Sequence, residues 1–232
     1  DGIRVVERSR GLGDVYKRQT INDLAMRGAR PVAMAVSLII EEGLSVELLK
    51  KILTSLRSEC EKVGMQIVCG DTKVVEKGKT DGIFITTTGL GYVPPERDLS
   101  VTRARPGDII LINGPIGLHG ITILAQRKGL TFASEAVSDC AALWELAELL
   151  LKAVPETRLL RDATRGGCAA ILNEIAVSSK VTLVLNQTDI PVPPVVQGAC
   201  SYLGMDPLQI ANEGRFVAIV PAARSQQALE IL

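Results

Sequence analysis

The chain of 232 residues predicts an α/β (α+β) fold divided into two domains. Apolar runs typical of strands alternate with stretches whose apolar residues recur at helical spacing. Hydrophobic residues make up 47% of the chain and aromatic residues only 3%, so the core must be aliphatic. The pair Pro94-Pro95, followed by the polar stretch 96–106, marks a boundary between the domains. These three observations favour layered strands and helices.

Charge and cysteine content narrow the class of protein. Lys plus Arg number 26 and Asp plus Glu also number 26, so the net charge is zero. We therefore expect neither a nucleic acid nor a membrane as partner. The five cysteines include no Cys-x-x-Cys pair, which indicates reduced thiols in a cytoplasmic protein. No apolar stretch has the length of a membrane span, and the start lacks a signal peptide.

The N-terminal domain is predicted over residues 20–95. Residues 1–19 are basic and without apolar period, and they form an anomalous segment, either a mobile arm or an artefact of sequence assembly. The apolar run Pro31 to Ile40 predicts a strand buried on both faces. Other elements follow from caps, stops and periodicity: a helix over 22–28, a helix capped by Ser45 and ending near Gly64, and strands over 65–69 and 81–93.

The C-terminal domain is predicted over residues 106–232. Its strands are expected at 108–113, 181–185 and 216–220, and its helices at 118–128, 141–151, 166–178, 194–203 and 222–232. The last helix shows no glycine or proline stop, so we expect the domain to be incomplete at its end.

Two aspartates open the list of candidate site residues. Asp23 follows Asn22 in the first turn of a predicted helix, where an Asp either caps the helix or serves a ligand. Asp71 lies in a Gly70-Asp71-Thr72 turn after a strand, where it is either a turn residue or a cation ligand. Lys73 could pair with Asp71 or reach a phosphate. Hard cations prefer carboxylate oxygens, so magnesium is the ion that these residues suit.

Residues 161–167 pack two cations, a carboxylate and two glycines into one helix entrance. Arg161, Arg165 and the N–H groups around Gly166 could form an anion pocket, with Asp162 beside it. The same residues also suit an exposed loop with Asp162 or Thr164 as the helix cap. Together with the aspartates, they supply the parts that hold a magnesium–triphosphate, which indicates an enzyme that uses ATP.

Glu213 is the candidate base. It lies among Ala, Asn and Gly before a predicted buried strand, where partial loss of water would raise its pKa. A solvated loop carboxylate is the alternative. The only histidine, His119, suits a helix cap or a packed ring, and no Ser or Cys pairing supports a catalytic triad.

The order of these motifs resembles that of HypE, the hydrogenase maturation family within the aminoimidazole ribonucleotide synthetase-like superfamily. The start NDLA is shared across that superfamily, while GDTKVV together with NEGR is more specific. The resemblance extends from Thr20 to the end and is carried by residues 20–31 (TINDLAMRGARP), 70–75 (GDTKVV), 81–89 (DGIFITTTG), 105–108 (RPGD), 117–121 (GLHGI), 161–167 (RDATRGG), 190–192 (IPV) and 211–215 (ANEGR).

The resemblance implies a fold and a reaction. Members of the family have an N-terminal domain that dimerises through its strands, a C-terminal α/β domain, and ATP bound between domains and subunits. A HypF-like carbamoyltransferase places a carboxamide on a cysteine of the tail, and ATP-dependent dehydration converts it to thiocyanate. A HypC–HypD-like iron scaffold then receives the cyano group for nickel–iron hydrogenase.

Residue roles follow from the same resemblance. Asp23 and Asp71 would hold Mg²⁺, and Lys73 and Glu213 would assist deprotonation of the amide. ATP would contact the remaining motif residues: Asn22, Gly70, Thr72, Arg161, Asp162, Arg165 and Gly166.

Two departures from the family pattern matter. The segment 1–19 replaces an Asp-bearing stretch expected before Thr20, and the tail cysteine is missing. The chain is therefore expected to be truncated at both ends and catalytically incomplete. Two alternatives remain: another enzyme of the superfamily, such as a thiamine-phosphate kinase, and a non-catalytic docking module for maturation proteins.

Overall fold

The computed structural model describes residues 15–129 and 136–232. Within these ranges the chain forms two three-stranded sheets, each covered by helices. Three short 3₁₀ turns lie at Gln187–Asp189, Pro207–Gln209 and Ala222–Arg224. The helices and strands in chain order are α1 Val15–Met26, β1 Arg30–Glu41, α2 Val46–Lys62, β2 Gln66–Val75, β3 Ile83–Tyr92, β4 Asp108–Ile112, α3 Leu118–Lys128, α4 Trp144–Ala153, β5 Leu159–Asp162, α5 Gly167–Ser179, α6 Pro194–Leu203, β6 Phe216–Pro221 and α7 Ser225–Leu229.

The N-terminal sheet has the order β2-β1-β3, with β1 parallel to β2 and antiparallel to β3. One face packs on α1 and α2 through Met34, Val36 and Leu38 of β1, together with Ile21 and Leu56 of the helices. The prediction that β1 is buried on both faces is wrong, because alternate residues such as Ile39 remain exposed. Among the described residues, helices cover only this one face, so burial alternates with the side-chain period of a strand.

Helix α1 joins the two halves of the molecule. It packs on β3 of the first sheet and also contacts β5 of the second. Its close approach to β3 depends on Gly89, where an added Cβ would lie 2.6 Å from Thr20 Cγ2. Ala25 and Met26 of α1 also pack into the apolar core that α4 and β6 form. The two halves are therefore joined by a continuous apolar contact.

The C-terminal sheet has the order β4-β6-β5 and is antiparallel throughout. The central strand β6 is buried on both faces. Phe216, Ala218 and Val220 face the core that includes α4, whereas Val217 and Ile219 face the core that includes α5. The two sheets with their helices confirm the predicted α/β (α+β) fold class.

The structure also differs from the predicted elements in other places. Residues 70–75 are not a turn, because β2 pairs with β1 as far as the pair Glu41 and Val75. Residues 159–162 form β5, although the sequence predicts no strand there. The predicted strand 181–185 forms no ladder with the described residues, although Val181 and Leu183 pack on the α5 core. Helix α1 begins at Val15, so residues 15–19 do adopt regular structure, while residues 1–14 lie outside the described part.

Other predictions are confirmed. Helices α3 and α6 have the predicted bounds, and the Ser45 hydroxyl accepts a hydrogen bond from Leu48 N–H at the start of α2. The predicted last helix is shorter, because α7 ends at Leu229. No helix in the described ranges has the length and hydrophobicity needed to cross a membrane. The cytoplasmic location stays a prediction.

Candidate active site

Three carboxylates from separate parts of the chain meet where α1 contacts the second sheet. Asp23 comes from α1, Asp162 from the end of β5, and Glu213 from the loop before β6. We call these three side chains the acidic cluster. Each of the other two carboxylates acts electrostatically on Glu213, and Asp162 also acts on Asp23. The structure therefore brings together predicted site residues that lie up to 190 positions apart in sequence.

Asp162 is the buried member of the cluster. One of its carboxylate oxygens accepts a hydrogen bond from Arg161 Nη1 at 3.1 Å, and the other accepts one from Thr164 Oγ1 at 3.1 Å. Arg161 also bonds Glu174 on α5 at 3.1 Å. The predicted helix entrance is present, since α5 begins at Gly167, but it starts from the end of β5, where Arg161 is held between two carboxylates.

Asp23 is the solvent-accessible member. The protein that surrounds it removes part of its water, and together with the charge of Asp162 this raises its pKa. Arg161 and Arg165 act in the opposite direction. Arg165 is exposed, and Gly166 after it adopts a left-handed conformation with φ of 74° at the start of α5. A cation at Asp23 would relieve the repulsion between carboxylates, and an anion could reach Arg165 and the start of α5.

Glu213 carries the most informative electrostatic feature of the site. Burial, followed by the negative charges of Asp162, Asp139 and Asp23, raises its pKa to about 7, although a hydrogen bond from Gln19 opposes the rise. A carboxyl group that titrates near neutrality can both accept and release a proton under ordinary conditions. The sequence-based expectation of a partly desolvated Glu213 is consistent with this environment.

Asn212 fixes the loop that carries Glu213. Its side chain is fully buried and donates to the carbonyls of Ala163 and Ile210 at 2.9 and 3.0 Å. Its carbonyl oxygen accepts from Gly117 N–H at 2.7 Å. The Glu213 loop is thereby bonded to Ala163, the residue after Asp162. This contact fixes the position of the Glu213 loop relative to Asp162.

Asn22 serves the scaffold in the same way. Its side-chain amide donates to Ala141 O at 3.1 Å, and its oxygen accepts from Leu143 N–H at 2.9 Å. The side chain is buried, so its predicted contact with ATP stays a prediction.

Asp71 and Lys73 are not part of the acidic cluster in a single chain. Both lie on the edge strand β2, which among the described residues pairs only with β1. The register places Asp71 beside Ser37 and Lys73 beside Ile39, and both partners are exposed positions of β1. Since paired residues share a face of the sheet, Asp71 and Lys73 lie on the face that α1 and α2 leave uncovered. The predicted pairing of Asp23 with Asp71 is therefore not made within one chain.

Two cavities lie outside the acidic cluster. One of about 410 Å³ lies between α2 and β2, and Gly70, Asp71 and Thr72 line it together with apolar residues. Thr72 N–H donates to the Asp71 carboxylate at 2.9 Å. The other, of about 460 Å³, lies between β4 and residues 181–186, and none of the predicted site residues lines it. Predicted site residues therefore line the first cavity, which lies apart from the acidic cluster, and not the second.

Sequence patterns gave no hint of Asp139. It lies in the loop before α4, and its side chain is fully buried beside Glu213 N–H and Arg215. The segment has no motif that marks a site. The one usable signal is Gly214, where an added Cβ would lie 1.9 Å from Asp139 O, so this glycine allows the two loops to touch.

The carboxylates of the acidic cluster suit magnesium only together with other ligands. No group of three His, Cys, Asp or Glu side chains in the described ranges is arranged to hold a metal ion. Magnesium that arrives with a nucleotide needs only one or two carboxylates, because phosphate oxygens and water complete its shell. Accessible Asp23, with its raised pKa, fits such an ion.

Comparison with known proteins places the chain in a family. The model described as AIR synthase related protein, C-terminal domain, matches residues 105–232, and the corresponding N-terminal domain model matches residues 5–93. Carbamoyl dehydratase HypE of Azotobacter vinelandii is 50% identical over 221 residues, which is 95% of this chain and 65% of that protein. The chain belongs to the HypE branch of the AIR synthase related family. The predicted resemblance is confirmed.

Solved HypE structures share the fold. A crystal structure of HypE in complex with ATP matches with a TM-score of 0.90 and 44% identity, over 95% of this chain and 66% of that one. HypE in a HypE–HypF complex matches with a TM-score of 0.91 and 43% identity, over 95% and 72%. Thiamine monophosphate kinase of Aquifex aeolicus, at 18% identity and a TM-score of 0.72, shares the fold alone. The chain spans about 65% of the length of the first curated relatives it matches.

Proposed function

We propose that this chain forms the ATP-dependent core of a carbamoyl dehydratase. The reaction converts a cysteine-bound carboxamide to a thiocyanate, the source of the cyanide ligands of nickel–iron hydrogenase. The observation that carries the proposal is Glu213, whose carboxyl group has a pKa of about 7 within the acidic cluster. The likeness to proteins named carbamoyl dehydratase HypE supports the same reaction.

The chemistry needs a phosphoryl donor and a base. The amide oxygen attacks the γ-phosphorus of ATP, ADP leaves, and one N–H proton is removed to give an O-phosphorylated imidate. Loss of phosphate with the second N–H proton then forms the C≡N bond. The overall balance is carboxamide plus ATP to thiocyanate plus ADP, hydrogen phosphate and one released proton. Glu213 would accept these protons, because a base with a pKa near 7 is free to act at neutral pH.

The remaining cluster residues would bind the nucleotide. Arg165 and the start of α5 at Gly166 offer a cation and free N–H groups to phosphate oxygens. Asp23 would hold magnesium, which would neutralise phosphate charge. Arg161 and Asp162, which are bonded to each other, would keep this wall of the site in place.

Asp71 and Lys73 would join the site from a second copy of the chain. The uncovered face of the N-terminal sheet exposes apolar side chains, including Phe84 at 51% exposure. β2 is also an edge strand, and such edges favour pairing with another chain. A homodimer through this region would bury the apolar face. It would also bring the predicted Mg²⁺ ligand Asp71 and the predicted proton-handling Lys73 to a shared interface.

Two further partners belong to the proposal. A HypF-like carbamoyltransferase would supply the carboxamide, and the relative solved as a HypE–HypF complex supports this partner. A HypC–HypD-like iron scaffold would take the cyano group. The second role rests on the resemblance of the motifs alone.

Turnover of a supplied peptide tests the function. The chain is incubated with Mg-ATP and a peptide that ends in S-carbamoyl-cysteine, and mass spectrometry and phosphate release are followed together. Because the peptide carries the carboxamide on its own cysteine, the assay does not require a carbamoylated cysteine in the chain, and we expect the peptide to lose one water for each phosphate released. Glu213→Gln should reduce the rate about 100-fold, since a positioned base is worth roughly that factor or more.

A control variant and two contrary results complete this test. Glu156→Gln changes an exposed carboxylate that bonds Arg224, and it should leave the rate unchanged. Phosphate transfer to thiamine monophosphate, with no change in the peptide, would favour a superfamily kinase. Absence of heat on titration with Mg-ATP, with HypF binding intact, would favour a docking module.

A further inference from the structure

The side chain of Asp139 contacts the backbone of Glu213, the proposed base. Its Oδ1 accepts a hydrogen bond from Glu213 N–H at 3.3 Å, and its Oδ2 lies 3.7 Å from Arg215 Nε. The two loops are in close contact, since only a glycine fits at position 214 against Asp139 O. Asp139 thus contacts the residues on both sides of Gly214.

The carboxylate is held in an unfavourable setting. Its side chain is fully buried, and among the described residues Oδ2 has no hydrogen-bond partner. Burial raises the pKa of Asp139, whereas the Glu213 N–H, Arg215 and His119 act in the opposite direction. A buried oxygen without a hydrogen bond and an incompletely paired charge both reduce stability. An asparagine of the same shape would keep the acceptor for Glu213 N–H without the charge, so packing alone does not explain an aspartate here.

We propose that Asp139 is a positioning residue for Glu213: it fixes the backbone of the base through Oδ1 and places a buried negative charge behind its side chain. The proposal rests on the proposed function of Glu213. Arg215 has a part in the arrangement, because its guanidinium faces Asp139 and is anchored by Pro115 O at 2.9 Å and Gly214 O at 2.8 Å. The cation therefore offsets part of the charge of Asp139, at 3.7 Å from its Oδ2.

The groups that face the pair come from every neighbouring element. Asp23 of α1 and Asp162 of β5 add negative charge at Glu213, and Gln19 of α1 donates a hydrogen bond to it. His119 of α3 and Arg215 face Asp139. Burial and three like charges act together on Glu213, so removal of one charge should lower its proton affinity measurably without abolishing the rise.

Titration of Glu213 by NMR tests the proposal without any need for turnover. The full chain is labelled with ¹³C at the glutamate carboxyl carbon, and Glu213→Gln identifies the resonance. In Asp139→Asn we expect the Glu213 pKa to fall by about half a unit or more, since one nearby negative charge is removed. The melting temperature should stay equal or rise. The acid limb of the pH–rate profile for the carbamoyl peptide should move to lower pH by the same amount.

Asp108→Asn is the matched control. Asp108 is also a buried carboxylate beside an arginine, with Arg158 Nε at 3.3 Å, but it lies opposite Pro221, at the far end of β6 from the Glu213 loop. This variant should leave the Glu213 titration unchanged. The proposal is overturned if Asp139→Asn leaves the Glu213 pKa where it was, or if Asp139→Asn fails to fold. Absence of turnover in the unmodified chain would instead reject the proposed function, while the titration still decides the role of Asp139.

Discussion

Asp23 and Asp71 lie on opposite sides of the N-terminal sheet. Asp23 belongs to α1, which packs on the covered face, whereas the register of β2 with β1 places Asp71 on the uncovered face. Two carboxylates so placed cannot share one ion within a single chain. A magnesium site that contains both therefore requires two copies, with Asp23 from one and Asp71 from the other.

Complementation between inactive variants tests this composite site. Asp23→Asn and Asp71→Asn should each abolish turnover of the carbamoyl peptide. When the two are mixed and allowed to exchange subunits, each heterodimer contains one site with both aspartates intact and one with neither. Since about half of the dimers are mixed, we expect about a quarter of the unmodified rate to return.

A single-variant mixture is the control for that experiment. Asp71→Asn mixed with itself should stay inactive, and its free energy of unfolding should change by less than about 0.5 kcal/mol because the residue is exposed. If the mixture of the two variants also stays inactive while exchange is verified, the composite site is wrong.

The uncovered sheet face gives the next prediction. Phe84 pairs with Ile39 across β1 and β3, and both are exposed. Phe84→Glu would place a charge in the proposed interface, where it would lose its water, so we expect monomers in light scattering and loss of turnover. Val177→Glu is the matched control, because Val177 is 78% exposed at the end of α5. That variant should remain dimeric. A Phe84→Glu protein that stays dimeric would place the interface elsewhere.

Local chemistry explains which parts of this fold were predictable. Helices α2, α3 and α6 carry their own signals, such as the Ser45 cap and Gly129 and Gly204 in left-handed conformations after α3 and α6. The extent of β2 carries no such signal. Gly70-Asp71 reads locally as a turn, and only pairing with β1 keeps the chain extended there.

The candidate site likewise contains features that the sequence predicts and features that it does not. Glu213 was recognisable because it lies among Ala, Asn and Gly just before a predicted buried strand, where partial loss of water predicts a raised pKa. Its grouping with Asp23 and Asp162 depends on α1 crossing from one sheet to the other, which no local pattern encodes. Asp139 was missed because its partners Glu213 and Arg215 lie far along the chain, so no local pattern marks it.

The pH dependence of stability follows from Glu213. Its pKa is about 7 in the folded chain and ordinarily 4.5, so the unfolded chain ionises first as pH rises. The ionised form of Glu213 therefore opposes folding. The free energy of unfolding falls between about pH 4.5 and 7, and the full loss of stability is reached above pH 7. Glu213→Gln removes this cost. We expect it to raise the free energy of unfolding at pH 8 by up to about 3 kcal/mol, less to the extent that water screens the partly exposed group.

Urea denaturation at two pH values checks the sign. The gain from Glu213→Gln should be present at pH 8 and absent at pH 4, where the carboxyl group is protonated in both states. Glu156→Gln should act in the opposite direction, because a backbone N–H and then Arg224 lower the pKa of Glu156. Equal stability of Glu213→Gln and the unmodified chain at pH 8 would mean that Glu213 has an ordinary pKa.

Close packing of α1 on β3 gives the last prediction. A Cβ at position 89 would lie 2.6 Å from Thr20 Cγ2 and 3.0 Å from Leu24 Cδ1. Gly89→Ala should therefore push α1 away from β3 and reduce the free energy of unfolding by about 1–3 kcal/mol. Because Asp23 lies on the same helix, calorimetry should also show weaker binding of Mg-ATP. Gly198→Ala is the control: the residue lies in α6 with no atom within 4 Å of an added Cβ. There alanine should stabilise the helix by about 0.5–1 kcal/mol and leave binding unchanged. If both variants were equally stable and bound Mg-ATP equally well, the contact between α1 and β3 would not position Asp23.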